Sequence, residues 1–307
     1  MSVYRADLFR GKVLFCTGGR SGICYQITEA IMSLGASAVI VGRDAKGLED
    51  SAARLSKATS QRCVAAPADV REPEALKKAV EMAKEAFGRI DFVICGASCS
   101  ALPARLEAVL TSLAPISGLS ERAFKTVIDI DLLGTYNTIK ATLPMVRESK
   151  GSYIHISATL HYRGVPFQAH VGAAKAGVDA LSQALAVEEG PRGVRSNVIA
   201  PGPIGGTVGM EKLTAKGTKP EDAVPMGRMG STGESGACIT GEQVVRLSIL
   251  GDIANAAVFL FSDAAEWITG SVMVVDGGEN HMRSSMLPYP QSVLDPGSVA
   301  KLIKARM

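Results

Sequence analysis

The chain has 307 residues, 47% hydrophobic and 21% charged, which is ordinary for a globular protein able to bury a sizeable core. Lys and Arg number 33 against 30 Asp and Glu, a net charge of +3 without a basic block, which argues against a nucleic-acid partner. The start, Met1 to Asp7, has no apolar signal region and no run approaches membrane-spanning length, so a soluble intracellular protein without a membrane span is expected.

The first element is Val13-Leu14-Phe15-Cys16, a short unbroken apolar run of the kind that forms a buried strand. Thr17-Gly18-Gly19-Arg20-Ser21-Gly22-Ile23 follows and opens a segment in which Ile23, Ile27, Ala30, Ile31 and Leu34 recur at helical spacing. In a strand, glycine turn and helix so joined, the turn lets the backbone approach a ligand. The first helical N–H groups, lacking intrahelical acceptors, point at it. A pyrophosphate suits that place, so Gly18, Gly19, Arg20, Ser21, Gly22 and Ile23 are candidate cofactor residues.

Ala38 to Gly42 reads as a second strand with Arg43 directly after it. An acidic residue there accepts hydrogen bonds from the adenosine ribose, whereas an arginine accommodates a 2′-phosphate. Arg43, helped by Arg20 of the glycine turn, therefore favours NADP(H), although Asp44 comes one place later. A third strand, Cys63 to Ala66, leads to Asp69, which either meets the adenine amine or is a turn carboxylate. The helix Pro73 to Phe87 begins with proline in its first turn, and Phe92 to Cys95 is a fourth strand.

Glu121 to Arg147 reads as one long helical segment containing Asp131, with Pro144 near its end as a point where it kinks. A fifth strand, from Tyr153, delivers Ser157 at its carboxyl end, the edge where open α/β sheets bind ligands. On the next helix Val171, Lys175 and Asp179 share one face at four-residue intervals. Val194 to Ile199 is a sixth strand, followed by Pro201, Gly202, Pro203 and Ile204. After a loop-rich region come the helix Asp252 to Phe261 and a last strand, Val272 to Val275. Seven apolar runs alternating with helices predict a doubly wound α/β fold, a seven-stranded parallel sheet with helices on both faces. With no internal repeat and no linker, residues 1–307 are expected to form a single domain. The six cysteines lack metal-site spacing, so they read as reduced, mostly buried thiols, and no metal is expected.

The TGxxxGx turn at Thr17, Ser157, Lys175 and Pro201-Gly202 together resemble the short-chain dehydrogenases/reductases over nearly all of Lys12 to Gly278. That family carries Tyr-x-x-x-Lys on the helix after the fifth strand, and here the tyrosine position is Val171. A valine gives no proton to a carbonyl oxygen, so ordinary ketone chemistry is disfavoured. The segments Ser157 to Tyr162, His170 to Leu181 and Asn197 to Thr207 are similar to the peroxisomal 2,4-dienoyl-CoA reductases, fungal ones especially, which also lack the tyrosine.

The resemblance implies a Rossmann fold and NADPH-dependent reduction of 2,4-dienoyl-CoA to 3-enoyl-CoA, in β-oxidation of unsaturated fatty acids. It also implies a homotetramer in the peroxisome. The tail Ala305-Arg306-Met307 resembles the Ser-Lys-Leu address, which would engage the peroxisomal import receptor. In such a site Lys175 binds the nicotinamide ribose, Asp179 orients its ammonium, Asp131 holds a water or relays the proton, and Ser157 contacts the thioester oxygen. His170 is the second-choice acid. Pro201, Gly202, Ile204 and Thr207 meet nicotinamide and pyrophosphate, and Arg71 and Lys212 meet coenzyme A phosphates. Cys24 stands where the pattern has a third glycine, insert loops at about 98–112 and 231–250 have no counterpart in the group, and a C-terminal tail takes up about 281–307. Competing with this reading are an NADPH-dependent carbonyl reductase using Tyr162 or His170 as acid, and an NADP-binding pseudoenzyme disabled by the inserts.

Overall fold

Strands buried on both faces leave no place for polar alternation, which is why this chain's strands read as unbroken apolar runs. A computed structural model describes residues 4–98, 114–207, 224–231 and 251–282. Within it, β1 (Val13–Thr17), β2 (Ser37–Gly42), β3 (Cys63–Pro67), β4 (Phe92–Cys95), β5 (Ser152–Ile156), β6 (Arg195–Pro201) and β7 (Val272–Val275) form one sheet. Its order is β3-β2-β1-β4-β5-β6-β7, and every pairing is parallel. The order reverses between β1 and β4, so their carboxyl ends open a crevice.

Alternate residues of each strand feed two cores. On one face Leu14, Cys16, Ile94 and Ile154 meet α1 (Gly22–Ser33) and α7 (Asp252–Phe261). There Phe92 stacks on Phe261 at 4.6 Å between centroids and meets Phe9 edge-on at 5.1 Å. On the other, Phe15, Val93 and Tyr153 meet α3 (Pro73–Phe87), α5 (Gly134–Ser149) and α6 (Ala169–Glu189). The remaining crossover, α2 (Ala45–Thr59), ends at Ser60 in the left-handed region. Cys16, Cys24 and Cys95 are buried and unlinked.

The long segment from Glu121 differs from the expected single helix. It comprises α4 (Glu121–Val127), a π-turn (Ile128–Leu133) and α5, which runs on through Pro144 to Ser149. The Gly134 N–H bonds the Asp129 carbonyl, one residue further back than in an α-helix. Such single wide turns are frequent at functional sites. Here the π-turn carries Asp131, which is buried at 1% exposure. Lys212, the tail and nearly all of the two insert loops lie outside the described residues.

Candidate active site

A cleft of about 560 Å³ opens at the carboxyl ends of β1, β2 and β3. Gly18, Arg20, Ser21, Arg43 and Asp69 line it, together with Ile130 of the π-turn. Gly18 has φ +76°, and a Cβ there would lie 2.7 Å from the Gly96 carbonyl oxygen. Only glycine therefore lets the β1–α1 turn sit against β4. Ser21 caps α1 by backbone position without a side-chain bond, leaving the first N–H groups of the helix open toward an anion.

Two of the other glycine-turn candidates, Gly19 and Ile23, also make scaffold contacts. A Cβ on Gly19 would strike Ile40, and Ile23 packs against the first core. Gly22, also at positive φ, begins α1. Neither these two glycines nor Ile23 lines the cleft. The Cys24 sulfur occupies the space a Gly96 side chain would need, so the bulk expected near the pyrophosphate is absorbed where α1 meets the end of β4.

At the end of β2, Asp44 is the N-cap of α2 and accepts from the Gly47 N–H at 3.1 Å. Its other oxygen lies 3.5 Å from Arg20. Arg71 stands two residues after Asp69. Its guanidinium forks the Asp69 carboxylate at 2.6 to 3.1 Å, which holds that carboxyl below the usual range even though burial opposes the shift. Arg71 thus stands two places from the carboxylate it neutralises, beside a cleft residue, with its side chain still 44% exposed.

Beyond Ile130, Asp131 and Lys175 meet. The Lys175 Nζ is 3.1 Å from Asp131 Oδ2 and donates to the Ile156 carbonyl at 3.0 Å. The lysine is 6% exposed, so the cation is fixed at the carboxyl end of β5 with little solvent around it. Ser157 follows β5, its N–H bonded to the Ile199 carbonyl at 2.8 Å and its hydroxyl 3.5 Å from the Lys175 carbonyl. Val171, one turn before Lys175, packs against the second core. His170 is buried with neither ring nitrogen partnered among the described residues. Burial holds its pKa below the ordinary histidine value, against the opposing pull of the Asp131 charge.

Asp179 departs from expectation, since its partners are not Lys175 but His161 and Tyr162 of the short 3-10 turn Leu160–Tyr162. These reach its Oδ2 at 2.7 and 2.8 Å. Nothing in helical spacing indicates such a pair. The available signal was an imidazole and a phenol side by side just past the ligand-binding end of a strand. On the next loop Gly202 packs its backbone against Asp276, Ile204 bridges to Gly230, and the Thr207 hydroxyl donates to the Ile204 carbonyl at 2.8 Å. Pro201 ends β6, so all four residues of this peptide lie along the same edge of the sheet. Among the described residues no helix is long and apolar enough to cross a membrane.

The profile of the enoyl-(acyl carrier protein) reductase family matches residues 18–240 and 243–280. The peroxisomal 2,4-dienoyl-CoA reductase ((3E)-enoyl-CoA-producing) of Saccharomyces cerevisiae is 45% identical over 91% of this chain and 87% of its own length. The enzyme of the same name from Danio rerio is 39% identical over 90% and 84%. Among solved structures, the 3-ketoacyl-(acyl-carrier-protein) reductase of Brucella melitensis complexed with NADH superposes with a TM-score of 0.73. It is 25% identical, covering 89% of this chain and 99% of that one.

Proposed function

The chain belongs to the short-chain dehydrogenase/reductase family, and from that premise we propose that it is an NADPH-dependent 2,4-dienoyl-CoA reductase yielding a (3E)-enoyl-CoA. The observation that carries the reading is Val171, partly buried against the second core one turn before Lys175, where a keto-reducing site would need a proton donor. Tyr162 does not replace it. Its hydroxyl is already donated to Asp179 at 2.8 Å, and burial, then that hydrogen bond, push the phenol's pKa upward.

The residues of the cleft fit a nicotinamide dinucleotide: a glycine turn that admits close approach, open helical N–H groups, and two arginines beside the end of β2. When bound, the reduced nicotinamide supplies a hydride. The hydride enters at the δ-carbon of the diene, the double bonds shift, and negative charge collects on the thioester oxygen as a dienolate. A proton at the α-carbon then leaves the 3-enoyl product. Such a reaction needs a cation and hydrogen-bond donors near the thioester oxygen, and a proton delivered to carbon.

Lys175 supplies the positive charge and binds the nicotinamide ribose, with Asp131 fixing the ammonium. Asp131 also holds the water that brings the proton, and the Ser157 hydroxyl faces the thioester oxygen. Arg43 and Arg20 receive the 2′-phosphate. The relatives' names place them in peroxisomes, and the same compartment, together with a homotetrameric state, completes the proposal.

Mixing the protein with NADPH and 2,4-hexadienoyl-CoA should consume the cofactor, whereas crotonyl-CoA should leave it intact. Binding of NADPH without oxidation by dienoyl thioesters of any chain length would overturn the reading. Arg43→Ala tests the cofactor. A charge-assisted contact to phosphate is worth enough that KM for NADPH should rise roughly 10- to 100-fold, with KM for NADH unchanged. An equal rise for both cofactors would place Arg43 outside the phosphate site.

A further inference from the structure

The steps derived above leave Asp179, a buried carboxylate of α6, without a task. Asp179 is 8% exposed, one helical turn beyond Lys175. Both hydrogen bonds on its Oδ2 come from neighbouring residues of one short turn, His161 Nε2 at 2.7 Å and Tyr162 Oη at 2.8 Å. The two rings lie against each other with centroids 4.1 Å apart, so each restrains the other. Beyond them, Arg163 binds the carboxylate and carbonyl of Glu279, which anchors the far end of the turn to the segment after β7.

The other atoms of this group are unpaired. Asp179 Oδ1 and His161 Nδ1 are both buried, with no partner among the described residues. A buried carboxylate oxygen without a donor is costly, and the turn carrying its neighbours begins a few residues after Ser157, on the ligand-binding edge of the sheet. A clamp that saturates one oxygen and leaves its twin open fits a carboxylate whose second oxygen receives a hydrogen from something other than the protein. We infer that His161 and Tyr162 are positioning residues of the reaction. They hold Asp179 by Oδ2 so that Oδ1 accepts a hydrogen from water or substrate beside Lys175. This rests on the dienoyl-CoA reductase reading for its rate measurements.

A double-mutant cycle between Tyr162 and Asp179 tests it, with NADPH affinity as the check that each variant retains its fold. Tyr162→Phe should lower kcat for 2,4-hexadienoyl-CoA roughly 10- to 100-fold, the range for a lost bond to a charged group, with KM nearly unchanged. Asp179→Asn should lower it at least as far, and the double variant should be no slower than Asp179→Asn alone, because Tyr162 acts only through that carboxylate. His161→Gln, which keeps an N–H near the Nε2 position, should retain most of the rate that His161→Leu loses. Additive losses, a wild-type kcat in Tyr162→Phe, or equal losses in the two His161 variants would overturn the inference. A wild-type protein that never oxidises NADPH with the diene would instead remove the substrate reading, and this inference with it.

Discussion

Replacing Lys175 by methionine should lower turnover of the dienoyl thioester about 10²- to 10³-fold, the usual consequence of removing one group that stabilises a developing oxyanion. It should also destabilise the fold by about 3–5 kcal/mol, the range for leaving one member of a buried ion pair alone. Methionine keeps the apolar stem but removes the cation that lies 3.1 Å from Asp131 and 3.0 Å from the Ile156 carbonyl. Asp131, at 1% exposure, is then left with its charge and without the ammonium. The two effects separate in the double variant Lys175→Met with Asp131→Asn. With no charge stranded, most of the lost stability should return, read as the urea midpoint, while kcat stays depressed. A double variant whose rate recovers together with its midpoint would show that the lysine holds the fold and takes no part in the chemistry.

That experiment bears on residues the sequence made visible to different degrees. Lys175 and Val171 stand out because their four-residue interval on a helix is local. The strands stand out because burial on both faces demands unbroken apolar runs such as Phe92 to Cys95. Arg43 is legible for a related reason, being next to the strand that presents it.

What could not be read is set by tertiary contacts and by hydrogen-bond register. Ile128 to Leu132 alternate apolar and acidic residues, a pattern that does not encode the wider hydrogen-bond register of the π-turn that carries Asp131. Asp179 obeys the local rule that pairs it with Lys175, yet its carboxylate is taken by a turn from the preceding loop, because Lys175 is already occupied by Asp131 and the end of β5. Arg71, a coenzyme A candidate, also forks a carboxylate two residues away. For Asp179 a short sequence distance misled because a more distant partner competed.

Gly18→Ala should weaken NADPH binding roughly 100-fold, because it displaces the turn on which the pyrophosphate is proposed to rest. Two costs combine. The backbone is at φ +76°, where an L side chain adds about 1–2 kcal/mol. The new methyl would also lie 2.7 Å from the carbonyl oxygen and 3.0 Å from the carbonyl carbon of Gly96. That neighbour is main chain and cannot rotate away. It is pinned as well, since the Gly96 N–H donates to the Thr17 hydroxyl at 3.1 Å and that hydroxyl donates to the Ile94 carbonyl at 3.2 Å. Relief therefore has to come from moving the β1–α1 turn, and overpacking of this kind adds roughly 1–3 kcal/mol. A shift approaching 1 Å in a positioned binding element is enough for a loss of about 10². Gly88→Ala is the matched control. Gly88 has φ +73° at the end of α3, with open space around its missing Cβ. It should pay the backbone term of about 1–2 kcal/mol in stability and bind NADPH as the parent does. Fluorescence titration of both variants with NADPH decides the matter. If Gly18→Ala binds as tightly as Gly88→Ala, the glycine turn is not where the dinucleotide sits.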